Sequence, residues 1–237
     1  MAEYRRPRHR NVARILDALD PAVLLRTHCC FGGGTRIALE LNEYRESEDI
    51  DFICSDLSGY RALRATVENR SFGILRKKLP AGLALLRDVR ADQYGIRTVI
   101  GVDGEPVKFE IILEARIQVT AAHVKSIPVP VLDRTSCFAE KWLANADRWN
   151  DTAVLSRDAF DLVFMLRAWD VDDAHAGAQL AAGAYGEVVR RAALAASALL
   201  LGDTKYRKRC AENLGISDSK NLVPGLKKLA KVAKDLP

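Results

Sequence analysis

The sequence has no apolar run that approaches the roughly 20 residues needed to cross a bilayer, and nothing in it reads as a membrane span. Its first ten residues, Met1 to Arg10, are basic and polar with no apolar stretch behind them, so they do not read as a secretory signal. Cysteine is sparse. Cys29, Cys30, Cys54, Cys137 and Cys210 make an odd set without a spaced ligand pair, which argues against a disulfide framework or a zinc site and points to a reducing cytoplasm. The adjacent Cys29 and Cys30 read as small core residues rather than reactive thiols. The four histidines (His9, His28, His123 and His175) have neither triad nor metal spacing and are read as structural or surface residues. No side chain reads as a nucleophile, and there is no internal repeat and no low-complexity segment.

What is present is an ordinary globular composition, 49% apolar and 28% charged over 237 residues. That length suffices for one large domain or two small ones with a sizeable core. The formal net charge of +5 is modest, but its distribution is uneven. Arg5, Arg6, Arg8 and Arg10 crowd the start, Lys205, Arg207, Lys208 and Arg209 form a second cluster, and Lys227, Lys228, Lys231 and Lys234 a third. Clustered cations suit a polyanion such as nucleic acid; solvated helix faces are the plainer alternative.

Hydrophobic periodicity divides the chain in two. Val12, Ile15, Leu16 and Leu19 predict an amphipathic helix ending near Asp20-Pro21. Val23 to Phe31 is apolar and runs into Gly32-Gly33-Gly34-Thr35, after which helical spacing resumes through Ile37 and Leu41. Ile50, Phe52 and Cys54 alternate with Asp49 and Asp51 as in a half-buried strand. Ser58 to Asn69 reads as a helix. From Leu83 to Ile117 the texture is β, with strands at Leu85-Leu86, Thr98 to Val102 and Val107 to Leu113 and a hairpin turn at Val102-Asp103-Gly104-Glu105. Beyond Thr135 the pattern is helical, at about 135–148, 157–169, 178–201, 204–214 and 223–235. The expected class is α+β: a mixed sheet with flanking helices over residues 1–130, then an all-helical domain over 131–237.

Three features of the first half carry chemistry. Gly33-Gly34-Thr35 opens a helix, where free backbone amides, the helix dipole and a hydroxyl can face one anion. Asp49 and Asp51, two residues apart on a strand, project from one face. Two carboxylates held that close suit a cation, and oxygen-only ligation suits Mg²⁺; two solvent-facing acids on an edge strand are the plainer alternative. Glu110 lies in the alternating segment Val107 to Ile112, where an acid among apolar residues needs a partner; a metal shared with the aspartates would supply one.

Phe31 to Leu39, followed by Tyr44-Arg-Glu-Ser-Glu-Asp-Ile-Asp-Phe52, resembles the paired signature of the AbiEii/MenT nucleotidyltransferase toxins, within the polymerase-β-like nucleotidyltransferases. That family has a Gly-Gly-Thr/Ser turn and then an Arg-x-Ser-x-Asp-Ile-Asp-Phe segment. Phe138-Ala-Glu-Lys141, with Ala146-Asp-Arg148, and then Arg157-Asp158-Ala-Phe-Asp161-Leu resemble its later lysine motif and Arg-Asp-x-x-Asp motif. The motifs follow the family's order over about residues 30 to 165. The resemblance implies that Thr35 and the amides of Gly33 and Gly34 hold a triphosphate, that Ser47 supports the loop or a phosphate, and that Asp49 and Asp51 bind magnesium, with manganese as a substitute. Glu110 matches a third acid in a variable segment. Lys141 would neutralise the triphosphate, with Asp158 and Asp161 orienting it or the nucleotide; the alternative for this acid pair is a helix surface matched to Arg148 or Arg157. Two departures are Trp142, where smaller aliphatics are usual, expected to affect packing or base stacking, and the additional Gly32.

The implied reaction is transfer of NMP from an NTP to a hydroxyl acceptor with release of pyrophosphate. The first expectation for the acceptor is the 3′ end of tRNA, in the toxin of a toxin–antitoxin pair, with the cognate antitoxin as a partner and the basic C-terminal helices gripping phosphates. Nucleotidylation of a protein or small molecule is the alternative, and a non-catalytic antitoxin-binding member is a third reading.

Overall fold

Alternation builds the strand that organises the first half of the chain. In Ile50–Cys54 the side chains of Ile50, Phe52 and Cys54 are fully buried on one face, while Asp51 on the other is half-buried. The computed structural model describes residues 4–68, 71–75 and 79–236. They fall into two compact units, Met1–Leu39 with Ser47–Asp133, and Glu40–Glu46 with Arg134–Pro237. The short segment 40–46 thus leaves the first unit in mid-sequence to pack in the second, an excursion that no sequence pattern announces.

The first unit runs α1 (Pro7–Ala18), α2 (Pro21–Arg26), β1 (Cys29–Phe31), α3 (from Gly33, ending at Glu40), β2 (Ile50–Cys54), α4 (Leu57–Ala65), β3 (Val67–Glu68), β4 (Ser71–Phe72), β5 (Leu83–Leu85), β6 (Arg90–Ala91), β7 (Gly95–Val102), β8 (Glu105–Leu113), β9 (Ala121–Ala122) and β10 (Val131–Leu132). One mixed sheet has the order β5-β7-β8-β2-β1-β10-β9, with β6 also paired to β7. β2 runs parallel to β8 and antiparallel to β1. β7 and β8 form the expected hairpin, whose central Asp103 and Gly104 both take positive φ (51° and 90°), as a two-residue turn matched to strand twist requires. The helix expected over Ser58 to Asn69 is shorter. It starts under an Asp56 cap and ends at Ala65, because Val67 and Glu68 pair with Phe72 and Ser71; Asn69 itself lies outside the described residues.

The core of this unit lies under one face of the sheet. Val107, Phe109 and Ile111 of β8 point to the same side as Ile50 and Phe52. Phe52 sits between Phe31 and Phe109 with ring centroids 5.6 Å apart in each pair, and Phe72 meets Phe109 edge-on. Each buried phenylalanine contributes about 1.5–3 kcal/mol by leaving water. The opposite parity, Asp51 on β2 and Glu110 on β8, is left for other work.

The second unit is helical: α5 (Arg134–Arg148), α6 (Arg157–Ala168), α7 (Val171–Tyr185), α8 (Val188–Gly202), α9 (Thr204–Asn213) and α10 (Leu222–Lys234). The single helix expected over 178–201 is two. Asp170 caps α7 by accepting from the Asp172 amide at 3.0 Å, and α7 closes at Gly186, whose φ is 61°. The alanine-rich sequence hides that break, because alanine carries little periodic contrast. Trp142 resolves as a packing residue: it is fully buried and its Nε1 donates to the Ala174 carbonyl at 3.2 Å.

Candidate functional site

At the end of β1 the chain turns sharply against β2. The Gly32 amide donates to the Asp51 carbonyl at 2.8 Å. Gly33 follows with φ +67°, and a Cβ placed on it would lie 2.3 Å from Asp51 Oδ2. Only glycine therefore lets this turn lie against that carboxylate. The additional Gly32 is accounted for by packing, since a Cβ there would meet Leu132 Cδ1 at 2.8 Å. Thr35, in the first turn of α3, is buried, and its hydroxyl is 2.8 Å from Ser47 Oγ. The glycine turn, Thr35, Ser47 and Asp51 are thus drawn together within one unit, although Asp51 lies 20 positions after Phe31 in the chain.

Asp49 lies just ahead of β2, half-buried, with the parity of Asp51. Asp51 is directly opposite Glu110 in the parallel register, and Glu110 is directly opposite Arg97 on β7. The partner that Glu110 requires is therefore an arginine: Arg97 Nε lies 3.2 Å from Glu110 Oε1, and both side chains are about 40% exposed (43% and 39%). Arg97 also reaches Asp92 at 3.2 Å. Among the described residues no group of three or more His, Cys, Asp or Glu converges as a metal cluster. Magnesium does not demand one, because it keeps waters and substrate phosphates in its shell and takes one or two protein carboxylates. Asp49 and Asp51 are hard oxygen donors of one parity, Asp51 beside a turn without a side chain at Gly33, and such donors fit this ion.

A feature with no local signal in the sequence lies behind this loop. His9, read as structural or surface, is fully buried in the first turn of α1, and the Ser47 amide donates to its Nε2 at 3.2 Å. One residue earlier, Arg8 makes an ion pair with Glu48. The basic arm is thus partly spent on contacts within the protein: Arg10 donates to the carbonyls of Tyr4 (3.2 Å) and Arg5 (2.6 Å).

The helical unit gathers the later motif residues. Lys141 on α5 is buried, its Nζ 2.9 Å from Asp158 Oδ1 and 2.6 Å from Asp161 Oδ2 on α6. Arg148 clasps Asp158 with two bonds (2.6 and 3.0 Å) and Arg45 clasps Asp161 with two (2.6 and 2.9 Å). The Tyr44 hydroxyl also donates to Asp161, and its ring stacks on Phe164 at 4.1 Å. Asp158 does pair with Arg148, as the surface alternative required, yet both acids are buried rather than exposed. Burial alone would raise their pKa values, but Lys141 and Arg148 hold the Asp158 carboxyl well below the usual range, and Arg45 and Lys141 hold Asp161 down. Conversely, burial works against the Lys141 ammonium, and Asp158 and Asp161 outweigh it and raise its pKa. Arg45 and Tyr44 are the residues that sequence reasoning missed here. Arg45 stood inside a motif segment, but no local pattern indicates a partner 116 positions away.

The family model for the nucleotidyl transferase AbiEii toxin of type IV toxin–antitoxin systems matches residues 14–218. This chain belongs to the AbiEii family. The family's two signatures and its later lysine and Arg-Asp-x-x-Asp motifs all fall within the matched span. Two crystal structures share the fold. A candidate nucleotidyltransferase from H. pylori superposes with a TM-score of 0.59 at 17% identity, covering 96% of this chain and 94% of that one. JHP933 from Helicobacter pylori superposes at 0.57 with 17% identity, covering 98% and 94%. No curated protein matches the sequence. No helix among the described residues is long and apolar enough to cross a membrane.

Proposed function

We propose that this AbiEii-family nucleotidyltransferase moves an NMP from an NTP onto the 3′-terminal hydroxyl of tRNA, in the cytoplasm, as the toxin partner of an antitoxin. The observation that carries the reading is the approach of the Gly33 backbone to the Asp51 carboxylate. It sets amides that suit phosphate next to a carboxylate that suits its metal. The acceptor oxygen bonds to the α-phosphorus, the bond to the bridging oxygen of the β-phosphate breaks, pyrophosphate leaves, and the hydroxyl proton passes to solvent. Mg²⁺, with Mn²⁺ as a substitute, would supply charge neutralisation for the phosphoryl group and the leaving pyrophosphate. Asp49 and Asp51 would hold it, with Glu110 as a third ligand if its carboxylate exchanges Arg97 for the metal. Gly33, Gly34, Thr35 and Ser47 would bind the phosphates. By the family resemblance Lys141 is the proposed counter-charge of the triphosphate, oriented by Asp158 and Asp161.

The tRNA assignment draws support from exposed lysines: Lys205 and Lys208 on α9, and Lys227, Lys231 and Lys234 along one face of α10. Incubation with each labelled NTP and with total tRNA, protein extract or small hydroxyl compounds tests it. Label in the tRNA fraction, dependent on Mg²⁺ and abolished in Asp51→Asn, is the expected result. Label in protein or a small molecule would replace the acceptor, and no label in any fraction would overturn the catalytic reading.

A further inference from the structure

The first turn of α1 touches the nucleotide-binding loop at two consecutive residues. His9 is fully buried, and its Nε2 accepts from the Ser47 amide at 3.2 Å. Arg8 pairs with Glu48. Ser47 in turn meets the Thr35 hydroxyl at 2.8 Å, and two residues later the chain presents Asp49. The loop has no regular structure between α3 and β2 to hold it, and Asn42 and Glu43 enter it in the left-handed region (φ 58° and 55°). Its position has to come from tertiary contacts. An imidazole that accepts at Nε2 carries its proton on Nδ1; arginine, lysine or protonated histidine at this place would present donors to an amide that is itself a donor.

We propose that His9 is a positioning residue for nucleotide binding: its Nε2 fixes the Ser47 amide, which sets the Ser47 hydroxyl against Thr35 and holds the phosphate-binding loop ready. The inference rests on the assignment of Thr35 and Ser47 to the phosphates. His9 touches no substrate, and Arg8 with Glu48 is a weaker, exposed second point on the same loop.

Glutamine can place an acceptor oxygen as far from Cβ as Nε2, whereas asparagine falls one bond short, so the two amides separate hydrogen bonding from polarity. The dissociation constant of a non-hydrolysable NTP analogue with Mg²⁺, KM for the NTP, kcat and the melting temperature are measured for His9→Gln, His9→Asn, Ser47→Ala and Thr35→Val. Leaving an amide without its acceptor corresponds to a loss of about five- to a hundredfold. His9→Asn is expected to weaken binding and raise KM within that range with kcat little changed, and His9→Gln to stay within about twofold of wild type. A fall in melting temperature with unaltered KM, or equal losses in both amides, would overturn the role of His9. If Ser47→Ala and Thr35→Val leave NTP affinity intact, the phosphate assignment fails instead. Should the His9 variants not fold, amide exchange on the wild-type protein decides: a protected Ser47 amide supports the contact, and exchange at the rate of an open loop removes it.

Discussion

Asp49 and Asp51 are half-buried, Asp51 against a glycine turn, while the helix acids Asp158 and Asp161 are buried and clasped by Arg45, Lys141 and Arg148. Both are closely spaced pairs in family motifs, and their surroundings differ. A carboxylate saturated by guanidinium and ammonium groups has its lone pairs spoken for and serves to hold other residues in place. Asp51 instead lies against the backbone of Gly33, where only a residue without a side chain can pass so close to its carboxylate. Spacing alone does not reveal a brace; the partners do.

The comparison breaks most visibly at the first pair. Asp49→Asn or Asp51→Asn should lower nucleotide transfer by about three orders of magnitude or more, the rate equivalent of several kcal/mol of metal-mediated stabilisation. Melting should barely change for Asp49→Asn, since that residue lies half-buried ahead of the strand. Turnover near wild type in either variant would remove the magnesium assignment.

Asp161→Ala should do the reverse, damaging stability first. It takes the carboxylate from buried Arg45 and leaves Lys141 with Asp158 alone, and breaking a buried pair in this way costs about 3–5 kcal/mol, read as a fall in melting temperature or denaturation midpoint. A variant as stable as wild type would mean that the network braces nothing.

A smaller effect marks the helix pair by pH. The Asp158 and Asp161 pKa values are depressed in the folded state, so their contribution is fully present above the unfolded carboxyl value near 3.9 and is lost as pH falls through their folded values. The raised Lys141 contribution is full below its unfolded value near 10.4 and is lost only as strongly alkaline pH passes its folded value. Denaturation monitored from pH 7 to pH 2 should show the helical unit losing stability below about pH 4, and in Asp161→Ala this acid-dependent component should shrink.

The least of the expected effects concerns the acceptor. Replacing Lys227, Lys231 and Lys234 with glutamine should weaken tRNA binding and flatten its salt dependence by about 0.7–0.9 in log–log slope for each phosphate no longer neutralised. NTP binding should be unaffected. An unchanged slope would return these lysines to solvated surface.

Much of the fold was legible because local rules produced it. The alternation in Ile50–Cys54, the Asp103-Gly104 turn and the spacing of α5, α6 and α9 follow from side-chain period and turn chemistry. The split between α7 and α8 was harder to read, because alanine on every face leaves no amphipathic contrast, although Asp170, Asp172 and Asp173 at the start of α7 were a usable signal. In the candidate site, the glycine turn and the acid pair could each be named because each is a contiguous short motif.

The class of the fold, the family and the short-range pairs were already fixed along the chain, since they depend on periodicity and on contiguous motifs. Folding in three dimensions decided that Arg97 answers Glu110, that His9 holds the Ser47 amide, and that Arg45 leaves its own neighbourhood to clasp Asp161. Each of those choices joins residues that no helical or strand period connects. An arginine, a histidine or a glutamate looks the same in sequence whether it faces water or a buried partner. The difference arises only when folding removes water from the charge and a partner has to replace it.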